Sequence, residues 1–236
     1  MFYKLCNTSS LYDVESELNT KFRYPKLYEQ KAIINGKYES NLPVITSEAP
    51  NTIDFAIWGL LPPGYDGDWE DFQEITNTLN TSANDNLLNE EIYADSLDTR
   101  RCLIVVNGFF TAKLHKGRLY PHHVHLKQHK PFCIAGVYNK IDDGFLTCTL
   151  LVTNSVVGSK HLPNMGIQKP LIFKKKDYNS WLDRSHTFKE LKPIIDDHDR
   201  YEFIAHPIEQ DFYKNPKVFK QIIESQHYKS VLRIAH

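Results

Sequence analysis

The sequence predicts a single α+β domain whose curved, barrel-like and mostly antiparallel sheet is flanked by helices. Strand-like apolar runs dominate the middle of the chain, whereas helix-like spacing of apolar residues occurs toward both ends. The 236 residues contain no internal repeat and no Pro/Gly/Ser-rich linker that would divide them. We therefore expect one domain over residues 1–236, long enough to bury a substantial core.

Each element has its own signal in the sequence. The first helix is expected over residues 11–22, because apolar residues recur at helical spacing from Leu11 to Phe22 and Ser9 or Ser10 can cap its start. Strands are predicted at residues 43–46, 53–61, 101–106, 122–127, 132–138 and 145–153. Residues 66–89 are predicted to form a polar surface segment with a short helix. Further helices are predicted at 177–182 and 216–225.

The most informative segment covers residues 101–113 and reads RCLIVVNGFFTAK. Its apolar run from Cys102 to Val106 is typical of a buried strand. The pair Asn107-Gly108 predicts a tight turn, and two phenylalanines then begin the next extended segment. Such a turn is expected to place the residues that follow it at the edge of a cavity.

Composition excludes several classes of protein. With 28 basic and 29 acidic residues the net charge is −1, which argues against binding a polyanion by bulk electrostatics. No apolar run approaches the roughly 18 residues of a membrane helix, and no signal peptide is evident at the N-terminus. Four dispersed cysteines indicate small core residues in a reducing compartment, so we expect a cytoplasmic protein; they are Cys6, Cys102, Cys133 and Cys148. We also expect a monomer that is not bound to a membrane.

Histidines on one predicted strand raise the question of a metal. His123 and His125 would project from the same face of the strand that also carries His122. A closed site needs a third ligand, for which His115 or His129 are the candidates near in sequence. Because half-exposed strand histidines need no metal, the sequence favours a protein without a metal or other cofactor.

The order and spacing of several motifs resemble the SOS response-associated peptidase (SRAP) family. The resemblance rests on LPVITSEAPNTIDFAIWGLLP at residues 42–62, TLNTSAND at 78–85, RCLIVVNGFF at 101–110 and LVTNSVVGSKHLPNMGIQKPLIF at 151–173. It covers roughly residues 1–182, and residues 183–236 match only loosely. Membership would imply an SRAP-like domain that recognises abasic sites in single-stranded DNA, with cross-linking, autopeptidase and lyase activities.

The family's nucleophile is a cysteine directly after the initiator methionine. Its thiol and α-amine condense together with the abasic aldehyde to form a thiazolidine. Phe2 stands at that position, and a bulky second residue is expected to keep Met1 in place. Cys6 cannot substitute, since the ring closes through the carbons of a single residue. The resemblance therefore implies a pseudoenzyme that has lost this reaction.

Residues that bind DNA in the family are only partly retained. The family's N-A-R-x-E-T motif supplies an asparagine and a phosphate-binding arginine, which correspond to Asn80 and Ser82. The arginine two residues after the family cysteine corresponds to Lys4, which keeps the charge but loses bidentate contact with phosphate. Asn80 has a second interpretation, in which its side chain holds a turn.

The family's proton-transfer residues are likewise partly lost. In the D-G-F-Y-E-W motif the glutamate corresponds to Thr111 and the tryptophan to Ala112. Threonine cannot act as a general base at neutral pH without another base beside it. The family histidine corresponds to His161, which can equally be a loop residue that forms hydrogen bonds. Trp58 is interpreted as a core aromatic, and base stacking would fall to Phe2, Tyr3, Tyr65 or Trp69.

Three functions follow as alternatives. The first is a DNA-damage protein that binds single-stranded DNA without cross-linking it. The second is a residual enzyme whose Met1 amine forms a Schiff base with an abasic aldehyde. The third is a scaffold whose cleft now holds a peptide or protein partner, which the near-neutral charge and the lost arginines favour.

Overall fold

The computed structural model describes residues 3–154, 168–196 and 201–213. Its five α-helices are α1 (Leu11–Leu18), α2 (Trp69–Ile75), α3 (Glu91–Thr99), α4 (Lys175–Leu182) and α5 (Lys192–Asp196). The strands are β1 (Lys4–Asn7), β2 (Lys21–Phe22), β3 (Lys31–Asn35), β4 (Asn41–Thr46), β5 (Ala49–Trp58), β6 (Asn80–Ser82), β7 (Arg101–Val106), β8 (Gly108–His115), β9 (Arg118–Leu126), β10 (Phe132–Lys140), β11 (Leu146–Thr153), β12 (Lys169–Pro170) and β13 (Phe203–Pro207).

The strands form two sheets. Five strands make one sheet in the order β13-β9-β8-β1-β3, and a second sheet follows the order β12-β11-β10-β7-β4-β5-β2. A parallel pairing of β11 with β5 brings the second sheet back onto itself, so that it is partly closed, and β6 also pairs with β11. Most pairings are antiparallel. The predicted α+β fold with a barrel-like sheet is confirmed.

One face of the five-stranded sheet packs against the closed sheet. Leu5, Phe109 and Val124 from β1, β8 and β9 join a buried cluster with residues of the second sheet. Trp58 lies in this cluster with no exposed surface, and its indole Nε1 donates to the Leu79 carbonyl at 2.8 Å. Its interpretation as a core aromatic is confirmed. Burial of the apolar side chains of this cluster is the main force that holds the two sheets together.

The first helix begins as predicted but ends early. Ser10 caps it, because its Oγ accepts from the Asp13 amide at 3.1 Å. Asn19 takes a left-handed conformation with φ of 52°, which terminates the helix four residues before the predicted end. Phe22 instead enters β2 and packs in a second buried cluster. The helix predicted at residues 216–225 lies outside the described residues.

The Asn107-Gly108 prediction is wrong in its geometry. β7 pairs with β4 and β10, whereas β8 pairs with β1 and β9, so the chain crosses from one sheet to the other at Asn107. No hairpin forms there. The Asn107 side chain stabilises the crossing, since its Oδ1 accepts from the Thr8 amide at 3.1 Å and its Nδ2 donates to the Thr8 hydroxyl at 2.9 Å.

The cysteines are core residues, as expected. Cys6, Cys102, Cys133 and Cys148 are all buried and free. Burial raises the pKa of the Cys6 thiol and of the Cys133 thiol to about 12, so both are protonated at neutral pH. Among the described residues, no helix is both long and apolar enough to cross a membrane.

Candidate functional site

Thr111 lies on β8 beside the start of the described chain. The antiparallel register pairs Leu5 with Phe109 and Cys6 with Gly108. Phe109 and Thr111 are two residues apart on β8, so their side chains share one face of the sheet. Phe109 packs in the cluster between the two sheets, and Thr111 therefore faces the closed sheet as well. Thr111 is buried there.

His122 on β9 lies directly opposite Thr111 on the other side of β8. In an antiparallel pair the Cβ atoms of opposed residues are about 4.5–5.5 Å apart. The register thus places Thr111 and His122 side by side on the same face. His122 is also buried, with 4% of its surface exposed, and is therefore a base held next to a buried hydroxyl.

The hydrogen bond of His122 assigns its tautomer. Its Nδ1 lies 2.8 Å from the Tyr120 carbonyl oxygen, which can only accept, so the proton is on Nδ1. The lone pair is then on Nε2. Burial lowers the pKa of His122, the bond to Tyr120 opposes this shift and nearby Lys113 adds to it. The imidazole is neutral at pH 7 and can accept a proton at Nε2.

Asn80 and Ser82 lie on β6, at the side of the closed sheet. The three residues of β6 pair in parallel with residues 150–152 of β11. Asn80 is buried, and the Ser82 hydroxyl accepts from the Gln168 side-chain amide at 2.8 Å. Asn80 therefore lies within a strand that pairs with β11.

A cleft brings the chain start and the β6 segment together. It has a volume of about 500 Å³, and Tyr3 and Leu79, the neighbour of Asn80, both line it. Tyr38 and Trp69 add aromatic surface, with Tyr38 66% exposed and Trp69 mostly buried. Aromatic rings at an open cleft are the groups on which unpaired bases stack.

The charge of this cleft is mixed. Its lining includes one lysine, Lys37, and two glutamates, Glu70 and Glu74. The Lys37 ammonium lies 5.5 Å from the Tyr3 ring centroid, within the range of a cation–π contact. Binding of a phosphate backbone here would therefore rest on few cations, in agreement with the near-neutral net charge.

Lys4 faces away from Thr111. It precedes Leu5 on β1, so its side chain lies on the opposite face of the five-stranded sheet. Its ammonium lies 5.5 Å from the Phe212 ring centroid, and burial followed by the charge of Lys37 lowers its pKa. The structure does not bring Lys4 to the face that carries Thr111 and His122.

The same opposite face carries a group of histidines. His123 and His125 are buried on β9, and His206 on β13 lies half-buried opposite His123. Burial, together with the other histidines around it, lowers the pKa of His123 to about 3. Imidazoles that stay neutral are the form in which histidine binds a metal. Within the described part of the chain, these three residues are the group that could hold a metal ion.

Comparison with known proteins decides the family. A model of the family described as SOS response associated peptidase (SRAP) matches residues 5–215. The chain belongs to the SRAP family. This membership supports a DNA-damage-related role, and the match extends well past the residues on which the sequence resemblance rested. No curated protein matches the chain.

Solved structures share the SRAP fold seen here. A Bacteroides thetaiotaomicron protein has a TM-score of 0.73 at 20% identity, covering 92% of this chain and 98% of its own. A Bordetella bronchiseptica protein has a TM-score of 0.68 at 14% identity, covering 88% and 99%. A phage-related protein of the same organism has a TM-score of 0.63 at 15% identity, covering 88% and 94%. At such identities the likeness concerns the fold alone.

Two residues expected from the SRAP resemblance, Phe2 and His161, lie outside the described residues, as does Met1. The sequence does not mark two further residues of the site. His122 stands out in the sequence only as a member of a histidine-rich strand, although its register to Thr111 follows once β8 and β9 pair as a hairpin. Tyr38 is an exposed aromatic that lines the cleft, and no motif marks it.

Proposed function

We propose that this SRAP protein binds abasic sites in single-stranded DNA without forming the thiazolidine, as a pseudoenzyme of the DNA damage response. The observation that carries the proposal is Thr111. It lies on the barrel-facing side beside the chain start, where the family places its acid, but it offers a buried hydroxyl and no carboxylate. With Phe2 at the nucleophile position, both the thiol and the proton-transfer acid are missing.

Several features support retained DNA recognition. Asn80 keeps the residue type of the family and comes directly after Leu79, which lines the cleft. Tyr3 and Tyr38 line the same cleft, and their rings offer a stacking surface for an extruded base. Ser82 stands at the position of the phosphate-binding arginine, so contacts to the backbone are weaker. We therefore expect modest affinity that depends on stacking more than on charge. Four buried, free cysteines support a reducing, cytoplasmic setting.

Fluorescence anisotropy with two labelled oligonucleotides tests the proposal. One is single-stranded and undamaged, and the other carries a single abasic site. We expect the abasic oligonucleotide to bind more tightly, with a shallow dependence of affinity on salt because few phosphates are neutralised. Tyr38→Ala should weaken binding, whereas Tyr12→Ala, at an exposed tyrosine on α1, should not. Absence of binding to either oligonucleotide at low salt would contradict the proposal and favour a peptide or protein partner.

One observation favours residual chemistry as a second candidate. The Met1 amine can attack the aldehyde carbon of an abasic site to give a carbinolamine, which loses water to become an imine. The neutral Nε2 of His122, across from Thr111, is a base for the accompanying proton transfer. Borohydride reduces an imine to a stable amine. Trapping by the wild-type protein, lost when its terminal amine is acetylated, would support this candidate, and failure to trap would exclude it.

A further inference from the structure

Three histidines from neighbouring strands converge on the face of the five-stranded sheet opposite Thr111. His123 and His125 come from β9, and His206 comes from the edge strand β13. One ring nitrogen of each lies within 4.8 Å of the other two. We propose that His123, His125 and His206 form a binding site for a divalent transition metal, and that zinc is the metal the site binds.

The spacing of two nitrogens suits tetrahedral zinc. His125 Nε2 and His206 Nδ1 are 3.3 Å apart. Two imidazole nitrogens that bind one tetrahedral zinc at 2.0–2.1 Å are separated by about 3.3–3.4 Å. The third nitrogen, which lies within 4.8 Å of the other two, would have to move closer by rotation of its ring. The backbone register already holds His123 and His206 opposite each other.

The hydrogen bond of His125 prepares it as a ligand. Its Nδ1 lies 2.8 Å from the Leu126 carbonyl, which can only accept, so Nδ1 carries the proton and Nε2 the lone pair. Histidines that bind metals commonly donate their other ring nitrogen to a carbonyl in this way, which fixes the tautomer and the orientation of the ring. His125 Nε2 is the nitrogen that faces His206.

His123 gives the strongest indication of a ligand. Its side chain is 1% exposed, and neither Nδ1 nor Nε2 has a hydrogen-bond partner in the part of the chain that the structure describes. A neutral imidazole buried without partners is costly, because its donor and acceptor have both lost water. Coordination of one nitrogen to a metal removes the larger part of that cost.

Gly108 leaves the space that the His123 ring occupies. A Cβ atom on Gly108 would lie 2.4 Å from His123 Nε2, so no other residue type leaves the imidazole where it is. On the other side, the ring of His129 stacks on His125 with centroids 3.8 Å apart and an interplanar angle of 12°. His129 and the preceding Gln128 both take left-handed backbone conformations, with φ of 51° and 63°. The stacked ring restrains His125 in its ligating orientation.

This site is separate from the proposed DNA site. Residues alternate between the two faces of β8 and β9, so Thr111 and His122 lie on one face and the histidine cluster lies on the other. Three histidines leave one position of a tetrahedral zinc open to water or an anion. Since His206 is on the edge strand, the metal would fasten β13 to β9.

Metal binding by the full-length, tag-free chain tests the proposal. Titration with cobalt(II), as a spectroscopic substitute for zinc, should give the visible absorption of a tetrahedral site at one equivalent. Calorimetry with zinc should show the same stoichiometry. His206→Ala, at a half-buried edge position, should weaken binding at least tenfold, and His206→Gln serves as a second variant if the alanine variant does not fold. The matched control is His115→Ala, which removes a histidine at the far end of the hairpin.

The outcomes are distinct. Zinc should raise the melting temperature of the wild type and of His115→Ala, and not that of the His206 variants. Three results would each overturn the proposal: no tetrahedral cobalt spectrum in the wild type, equal zinc affinity in wild type and folded His206 variants, or loss of binding in His115→Ala.

Discussion

Thr111 and His122 face each other across β8 and β9, both buried and both on the side that packs against the closed sheet. The motif resemblance to the SRAP family implies a glutamate at the position of Thr111. In this chain the acid is missing from β8, but a titratable group stands on the neighbouring strand. Proton transfer near the chain start therefore depends on His122 if any chemistry is restored.

The first prediction concerns His122 in a protein given back its thiol. In a Phe2→Cys background, His122→Gln should slow cross-linking to an abasic oligonucleotide by about tenfold or more, because the neutral base opposite Thr111 is lost. The rate is measured from the covalent adduct on denaturing gels over time. His115→Gln in the same background is the control, and its rate should not change. Equal rates for both double variants would contradict the role given to His122.

The second prediction concerns the stability contributed by Arg101. This side chain has no exposed surface, and its guanidinium donates to four carbonyl oxygens, those of Leu97, Asp98, Trp181 and Asp183, at 2.6–2.9 Å. A lysine cannot reach all four, so Arg101→Lys should lower the free energy of unfolding by about 3 kcal/mol. Urea titration followed by circular dichroism measures the change.

The matched control for Arg101 is a surface arginine. Arg23 forms an ion pair with Asp54 at 3.3 Å and is about half exposed. Arg23→Lys should cost no more than about 0.5 kcal/mol. A similar loss in both variants would show that the buried guanidinium does not hold α3 and α4 to β7.

The third prediction concerns the thiols at high pH. Burial raises the pKa of Cys6 and of Cys133 from the ordinary thiol value of 9.0 to about 12. Between these values the unfolded chain loses protons that the folded chain keeps, so stability is fully present below pH 9 and falls as the pH rises toward 12. Urea midpoints measured from pH 8 to pH 11 should decrease in the wild type and decrease less in Cys133→Ala.

The same burial controls thiol reactivity. Native protein should react slowly with a thiol reagent at pH 8, and the four cysteines should react together once urea unfolds the chain. Rapid modification of any thiol in the native state would contradict the buried placement.

Local patterns in the sequence predicted much of this fold. The apolar run at Arg101–Val106 coincides with β7, and Ser10 caps α1 as its position suggested. These features depend on neighbours in sequence, for which periodicity and capping rules hold. The end of α1 was mispredicted because Phe22 pairs with Ile53 of β5. The Asn107-Gly108 crossing was mispredicted because β8 pairs with β1 and β7 pairs with β4. α3 was not predicted at all.

The candidate site was less predictable for the same reason. His206 lies 81 residues from His125 in sequence, and only the pairing of β13 with β9 brings the two together. Lys4 was expected to contact DNA with the other site residues, but the alternation of β1 turns it to the opposite face. Composition and spacing contain no information on either relationship.

One measurement tests the central claim of a pseudoenzyme most directly. Wild type, Phe2→Cys and Phe2→Cys/Thr111→Glu are each incubated with an abasic single-stranded oligonucleotide, and heat-stable covalent adduct is quantified on a denaturing gel. We predict no adduct for the wild type, slow formation for Phe2→Cys and faster formation once an acid is restored at residue 111. A heat-stable adduct formed by the wild-type protein would contradict it.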